Sequence, residues 1–172
     1  LVYDVGCSTG KLINEIAEQS DKGRYIGIDK SHNVLAQNTG SHPRVELVND
    51  DLTTTQLQTC DVVLSIFTLQ FLQGDDRELV IKKIYDALKP NGLFIVAEKM
   101  KMQNYVIDMM FSESYTAFKQ TNFSLDEICQ KQEDLRHIMF TRKEDEIVQQ
   151  FTDVGFRRIT PFWQSLNFKA WI

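Results

Sequence analysis

The chain opens on an apolar strand that runs straight into a glycine turn, Leu1-Val2-Tyr3-Asp4-Val5-Gly6-Cys7-Ser8-Thr9-Gly10, and no other stretch constrains the fold as strongly. Glycine at positions 6 and 10 permits a sharp turn and a close approach of backbone to ligand, where a Cβ atom would collide. From Lys11 to Gln19 the apolar residues Leu12, Ile13, Ile16 and Ala17 recur at helical spacing, with Glu15 and Glu18 facing outward. A buried strand therefore passes through the loop to a helix N-terminus, where backbone N–H groups favour anionic ligand groups. The segment reads as a nucleotide-cofactor loop. It is not a dinucleotide fingerprint, because Ser8 stands where a second glycine is usual. A tight strand-to-helix turn without ligand is the alternative reading of these ten residues taken alone.

Downstream the pattern alternates. Asp21-Lys22-Gly23 makes a turn, and residues 24–29 form a second apolar run ending on Asp29. Ser31 is placed to cap a short helix. A third strand, 45–48, ends in Asn49-Asp50-Asp51, and a polar linker leads to a fourth, 61–66, whose near-continuous apolar run suits a parallel strand covered on both faces. Leu79, Val80, Ile84, Ala87 and Leu88 define a helix closed by Pro90-Asn91-Gly92 before a fifth strand at 93–97. Strand and helix alternating with short glycine-containing turns predict a doubly wound sheet, with ligands collected above the C-terminal strand ends. Asp4, Asp29, Asp51, Ser65 and Ile66 all fall at such ends.

The second half changes character. Helical stretches around 103–121 and from 125 to about 138 are expected to form a lid, the latter opened by the capping box Ser124-Leu125-Asp126-Glu127. A helix near 143–153 stops at Gly155. Segments 156–162 and 168–172 read as two closing strands that turn near Ser165. No repeat, low-complexity run or Pro/Gly-rich linker divides the 172 residues, so one domain is expected.

Composition narrows the function classes. A formal charge of −5 gives no broad electrostatic reason for direct nucleic-acid binding. Cys7, Cys60 and Cys129 are odd in number and far apart, which fits reduced thiols in a cytoplasmic protein better than a disulfide framework or a zinc site. No apolar run approaches the roughly 20 residues that span a bilayer, so no membrane partner is expected. The missing Met and the start within a strand lead us to expect an N-terminally truncated domain.

The acids at the strand ends have a shared use if the ligand is an adenosine derivative. A carboxylate at the end of the second strand, Asp29, is placed to accept from both ribose hydroxyls; the alternative is a solvated turn acid. Asp51 could accept from an adenine amino group with Leu52 over the ring, with Asn49 and Asp50 as competing acceptors. Asp4 is expected to hold the glycine loop through backbone N–H groups or to meet a ligand ammonium, a ligand-free cap being as simple. Phe67, Leu69 and Phe71 read as core before pocket. Glu98-Lys99 could touch a substrate or form a buried ion pair, and His137 suits a helix C-terminus. No paired histidine or carboxylate stands at metal-ligand spacing, so neither a metal nor a histidine-dependent step is expected, and no residue is given a catalytic role.

The segment from Asp61 to Leu72, followed by Ile84-Tyr85-Asp86-Ala87-Leu88-Lys89-Pro90-Asn91-Gly92, resembles class I S-adenosylmethionine-dependent methyltransferases in its order of motifs. More narrowly, Gly6-Cys7-Ser8, Phe67 to Leu72, Ala97-Glu98-Lys99, Phe118-Lys119, Gln130-Lys131, Phe162-Trp163-Gln164 and Asn167-Phe168 resemble the carboxy-S-adenosylmethionine synthase family over nearly the whole chain. The resemblance implies an α/β Rossmann-like class I fold: a mostly parallel seven-stranded sheet with helices on both faces and a helical lid insertion. It implies S-adenosyl-L-methionine as cofactor, converted in that family with prephenate into a carboxymethyl sulfonium used on the wobble uridine of tRNA.

Carried over by motif, the family's cofactor contacts fall on Gly6, Cys7 and Ser8 for the amino-acid end, with Gly10 closing the loop. Asp29 and Lys30 fall at the ribose, and Asp51 and Leu52 at adenine. Two positions depart from the pattern: an expected asparagine is Ile66, and an arginine that holds the added carboxylate is Gln132. A family tyrosine would lie upstream of Leu1. Charge-assisted hydrogen bonds contribute about 1.5–3 kcal/mol against about 1 for neutral ones, so glutamine does not replace that arginine. Arg136, four residues on along the same helix face, could reach the same point, or be a solvated charge. Ordinary methyl transfer is therefore favoured over carboxymethyl chemistry, with a non-catalytic binding module as a third reading. The expected partner is a small-molecule or tRNA-pathway substrate, with a homodimer left open.

Overall fold

The computed structural model describes residues 1–38, 40 and 42–172. Among the described residues seven strands form one sheet in the order β3-β2-β1-β4-β5-β7-β6. The strands are β1 (Val2–Val5), β2 (Tyr25–Asp29), β3 (Val45–Asn49), β4 (Cys60–Ile66), β5 (Leu88–Lys99), β6 (Pro161–Ser165) and β7 (Phe168–Trp171). The first five pair in parallel, and β7 runs antiparallel to β5 and β6. Chain order reverses between β1 and β4, so their C-terminal ends bound the crevice where such sheets take ligands.

Two apolar clusters follow from strand alternation. Tyr3, Val5, Ile26 and Ile28 turn one way, against Val80, Ile81 and Ile84 of α3 (Gly74–Ala87) and Ile147 and Phe151 of α6 (Glu144–Val154). Val2, Tyr25, Val45 and Leu47 turn the other way, against Ile13 and Ala17 of α1 (Lys11–Glu18). The neighbours on each strand thus bury opposite faces of the sheet, which explains why its central strands read as continuously apolar.

Several local expectations are corrected. Leu12 lies at the exposed edge of α1, and Asn14 takes the buried place, donating from Nδ2 to the Gly10 carbonyl at 2.7 Å. Ser31 precedes α2 (His32–Leu35), but its hydroxyl makes no cap bond. Lys89 to Gly92 do not separate α3 from a later strand: β5 begins at Leu88, and these residues form an irregularity in its pairing with β4 between Cys60 and Val62. β6 begins at Pro161 rather than Phe156. Phe156 instead packs against Tyr85, Phe94 and Phe151, so core burial overrides its strand propensity.

The second half supplies α4 (Tyr105–Lys119) and α5 (Leu125–Leu135). Asn104 caps α4 through its side-chain oxygen, and the Ser124–Glu127 capping box opens α5 as the sequence indicated. His137 lies beyond the end of α5 and of its cap Arg136, so it occupies no position in the helix.

Candidate functional site

The glycine loop is held by β2. Gly6 and Cys7 both donate their backbone N–H to the Ile28 carbonyl, at 2.7 and 3.0 Å. Asp29 accepts from the Ser8 N–H on Oδ2 and from the Ser31 N–H on Oδ1, each at 2.9 Å. One carboxylate therefore joins the β1–α1 loop to the β2–α2 turn while keeping lone pairs free on both oxygens. Gly6 has φ 76°, and a Cβ there would run into the Thr68 side chain, so both conformation and space require glycine. Ser8 adopts φ 54°, a left-handed conformation that serine tolerates at a cost.

Above this loop lies a cavity of about 320 Å³ between the ends of β1, β2 and β4. Of the sequence-predicted residues, Gly6, Ser8, Asp29, Lys30, Asp51, Leu52 and Ile66 line it together. Ile28, Leu52, Phe71 and Leu72 give it apolar walls. The Asp51 Oδ1 atom accepts from both the backbone N–H and the hydroxyl of Thr53 at 2.8 Å, and these bonds hold its carboxyl below the usual range. The competing acceptors are engaged elsewhere: Asp50 Oδ1 accepts the Asp51 N–H, and Asn49 donates from Nδ2 to the Asp29 carbonyl. The cavity thus offers carboxylates at two points around an apolar slot, an arrangement that fits a ribose and a flat heterocycle.

Asp4 and Cys7 line an adjoining cavity of about 300 Å³ that shares Gly6, Ser8 and Ile66 with the first. Among the described residues no loop N–H donates to the Asp4 carboxyl, contrary to the first of its two expected roles; Asp29 ties the loop instead. The Asp4 carboxyl is 2% exposed, and burial followed by the charge of Asp29 pushes its pKa up to about 7. Cys7 is pushed up to about 12 by burial and the two acids, so its thiol stays neutral. Gly10 and Ser65 line neither cavity: Gly10 packs its backbone where a Cβ would come within 2.8 Å of Leu47, and the hydroxyl of Ser65 is buried without a partner among the described residues.

A larger cavity of about 640 Å³ lies between the end of β5 and the helices α4 and α5. Gln132 and Arg136 both line it, as their spacing on one helix face indicated. Arg136 also pairs with Glu133 at 2.8 Å and stays largely in solvent. Phe67, in a left-handed conformation at φ 58°, lines both this cavity and the first, with its ring edge-on to Phe168 at 5.5 Å. A bulky residue held at positive φ is strained, and such strain clusters at functional sites. The stretch 67–71 divides: Leu69 is core, whereas Phe67 and Phe71 are cavity walls.

Glu98 and Lys99 do not pair with each other. Glu98 takes a bidentate bond from Arg77 of α3, Nη2 to Oε1 at 2.7 Å and Nη1 to Oε2 at 2.9 Å, with both side chains buried. Arg77 Nε donates further to Gln150 of α6 at 2.8 Å. Lys99 turns to the opposite side and lines the large cavity, its ammonium 5.5 Å from the Tyr115 ring centre and 5.8 Å from that of Phe168. Sequence reasoning gave no role to Thr68, Gln70, Tyr115 or Asn167. Thr68, Gln70 and Asn167 fall within segments that carry the family resemblance, but their roles come from tertiary placement: Gln70 reaches the site by accepting the Lys99 N–H at 2.8 Å.

Residues 3–94 match the model of the methyltransferase domain. The carboxy-S-adenosyl-L-methionine synthase of Wolinella succinogenes is 34% identical over 180 residues, covering 99% of this chain and 74% of its own. That of Nautilia profundicola is 31% identical, covering 99% of this chain and 75% of its own. Human N-acetylserotonin methyltransferase, solved with S-adenosylmethionine, superposes with a TM-score of 0.68 at 15% identity, over 99% of this chain and 46% of that one. A chain from the complex of the Haloferax volcanii Trm112 activator with a methyltransferase gives the same score at 18% identity, over 95% of this chain and 63% of that one. The likeness to these two solved structures is one of fold.

Proposed function

The chain belongs to the carboxy-S-adenosyl-L-methionine synthase family of methyltransferase-domain proteins, and from that premise we propose that it transfers a methyl group from S-adenosylmethionine to a small acceptor held in the larger cavity. Bound S-adenosylmethionine supplies a carbon made electrophilic by its sulfonium. The residues present fit that cofactor. Asp29 would take the ribose hydroxyls on its free lone pairs, Asp51 and Leu52 the adenine, and Gly6, Cys7 and Ser8 the amino-acid end, with Lys30 at the cavity rim. The buried carboxyl of Asp4, unengaged by the loop, is placed for the ammonium.

The observation that carries this reading is the sharing of Phe67 by the two cavities: one wall serves a nucleoside-shaped slot and a separate chamber beneath the lid helices. Holding two reactants on either side of such a wall gives alignment, and alignment supplies most of the rate when the transferred group is already activated. The lid helices would exclude water from the same space. Ile66 lacks the amide, and Gln132 the cation, that a carboxymethyl group would use at those two positions, which favours methyl transfer.

A second reading is carboxy-S-adenosylmethionine synthesis with prephenate, in support of tRNA modification. It is favoured by the named activity of the relatives and by Arg136, which lines the same chamber as Gln132. Three free cysteines fit a reducing, cytoplasmic setting for either. Incubation of the protein with S-adenosylmethionine, once with a small-molecule extract and once with prephenate alone, followed by mass analysis, separates them. Methyl transfer predicts S-adenosylhomocysteine with the extract and no new sulfonium with prephenate. Carboxy-S-adenosylmethionine together with phenylpyruvate would overturn it in favour of the second reading.

A further inference from the structure

Resting on the reading that Asp51 and Leu52 take the adenine of the cofactor, we propose that Lys83 is a positioning residue for that base: its ammonium gathers the carbonyls of the turn after β3 and so fixes the acceptor and the apolar cover that select adenine. Lys83 lies half-buried on α3 and does not line the cofactor cavity. Its Nζ donates to the carbonyls of Thr53 at 2.6 Å, Thr55 at 3.2 Å and Leu52 at 3.3 Å. An ammonium has three donors, and all three go to this one turn. The turn's own bonds show why it needs a cation from outside. Asp51 is their common acceptor: its carbonyl takes the N–H of Thr54 at 3.0 Å and of Thr55 at 2.8 Å, and its Oδ1 takes both groups of Thr53. Among the described residues, no backbone N–H donates to the carbonyls of Leu52, Thr53 or Thr55. These carbonyls stand at the C-terminal end of a single helix-like turn, where the peptide dipoles gather negative charge and a cation is stabilising. Lys83 reaches them from a firm base, since Val80, Ile81 and Ile84 of the same helix are buried in the core. Its neighbour Lys82 pairs instead with Asp86 within α3.

The consequence is chemical selection. With Oδ1 of Asp51 holding Thr53, Oδ2 remains as the acceptor for a base amino group. The Thr53 bonds, with smaller contributions from the charges of Lys30 and Lys83, keep this carboxyl below its usual range, so it stays an anion that accepts and never donates. Such a group pairs with the 6-amino group of adenine and repels the 6-oxo group of hypoxanthine. That preference depends on where the carboxylate stands, and a shift of about 1 Å forfeits it. Lys83 is the link that ties the turn to α3, and through it to the core.

Isothermal titration with S-adenosylhomocysteine and S-inosylhomocysteine, which carry an amino or an oxo group at the 6-position of the purine, tests this. The parent is expected to bind the amino compound about tenfold more tightly or better. Lys83→Met, which keeps the apolar stem and removes the ammonium, is expected to reduce that preference to about twofold, and Lys83→Arg, which keeps a cation, to restore most of it. Lys83→Gln carries the same test if Lys83→Met does not fold. A lysine with a merely structural role would weaken both compounds by one factor. An equal loss for both, a preference unchanged in the neutral variants, or a Lys83→Arg protein without preference would overturn the proposal. The parent reports separately on the reading beneath it: binding of neither compound defeats the cofactor site, equal binding defeats the adenine role of Asp51, and either takes the proposal with it.

Discussion

The Asp29 carboxylate accepts the backbone N–H of Ser8 at 2.9 Å, so the residue at the end of β2 holds the strained centre of the loop that follows β1. Its second oxygen accepts the Ser31 N–H at the same distance. Charge-assisted bonds of this kind contribute about 1.5–3 kcal/mol where they are shielded from water, and less at a solvent-lined site such as this. Asp29→Ala is therefore expected to lower stability by about 1–2 kcal/mol, read as a lower urea midpoint at unchanged slope. An unchanged midpoint would show that the loop holds its shape without Asp29.

Ser8 carries its strain where a glycine would carry none. A left-handed conformation costs an L-residue roughly 1–2 kcal/mol, partly offset by the greater entropy that glycine loses on folding. Ser8→Gly is expected to stabilise by about 1 kcal/mol, raising Tm by about 2–4 °C in calorimetry. A fall in Tm would mean that the serine side chain contributes more than its backbone costs.

Asp4 links the site to pH. Its folded pKa, about 7, stands above the 3.8 usual for an aspartate, so the folded state keeps a proton that the unfolded chain has lost between those values. This contribution to stability is fully present below pH 4 and is lost as pH rises through 7, with a slope of at most about 1.4 kcal/mol per pH unit. Asp4→Asn, which keeps the neutral shape, is expected to flatten that part of the stability curve and to be the more stable protein at pH 8. If an ammonium is the partner of Asp4, cofactor affinity in the parent rises between pH 6 and 8 and that of Asp4→Asn does not. Parallel stability curves for the two proteins would contradict the raised pKa.

The Arg77–Glu98 pair is buried on both sides. Arg77→Met leaves Glu98 buried without its cation, and such one-sided removals cost about 3–5 kcal/mol. Adding Glu98→Leu to Arg77→Met is expected to recover most of the loss, since two apolar residues of similar volume leave no buried charge. Urea unfolding of the single and double variants measures this, and a double variant as unstable as the single would show that the network, rather than the stranded charge, sets the cost.

Why these features differ in legibility is visible in neighbouring residues. The first three parallel strands run into Gly6, Asp29 and Asn49-Asp50-Asp51, and each ending signals both the turn and the site, so this half of the sheet and the first cavity can be read from sequence. Glu98 and Lys99 could not be, because successive strand residues face opposite sides: adjacency suggested a pair, while the pleat sends one to α3 and the other to the cavity beside α4 and α5. Phe67, Leu69 and Phe71 part for a related reason, since a 3₁₀ turn at Leu69–Phe71 replaces the alternation that a strand would have continued. Lys99 and Lys119, both over the Tyr115 ring, lie on different elements, and only the docking of α4 brings them together.

The central claim is that the loop and the acids at the strand ends form an S-adenosylmethionine site, and isothermal titration with S-adenosylhomocysteine tests it most directly. The account predicts one binding site in the parent and at least tenfold weaker binding in Asp29→Ala. A parent that does not bind, or an Asp29→Ala variant that binds as tightly as the parent, would contradict it.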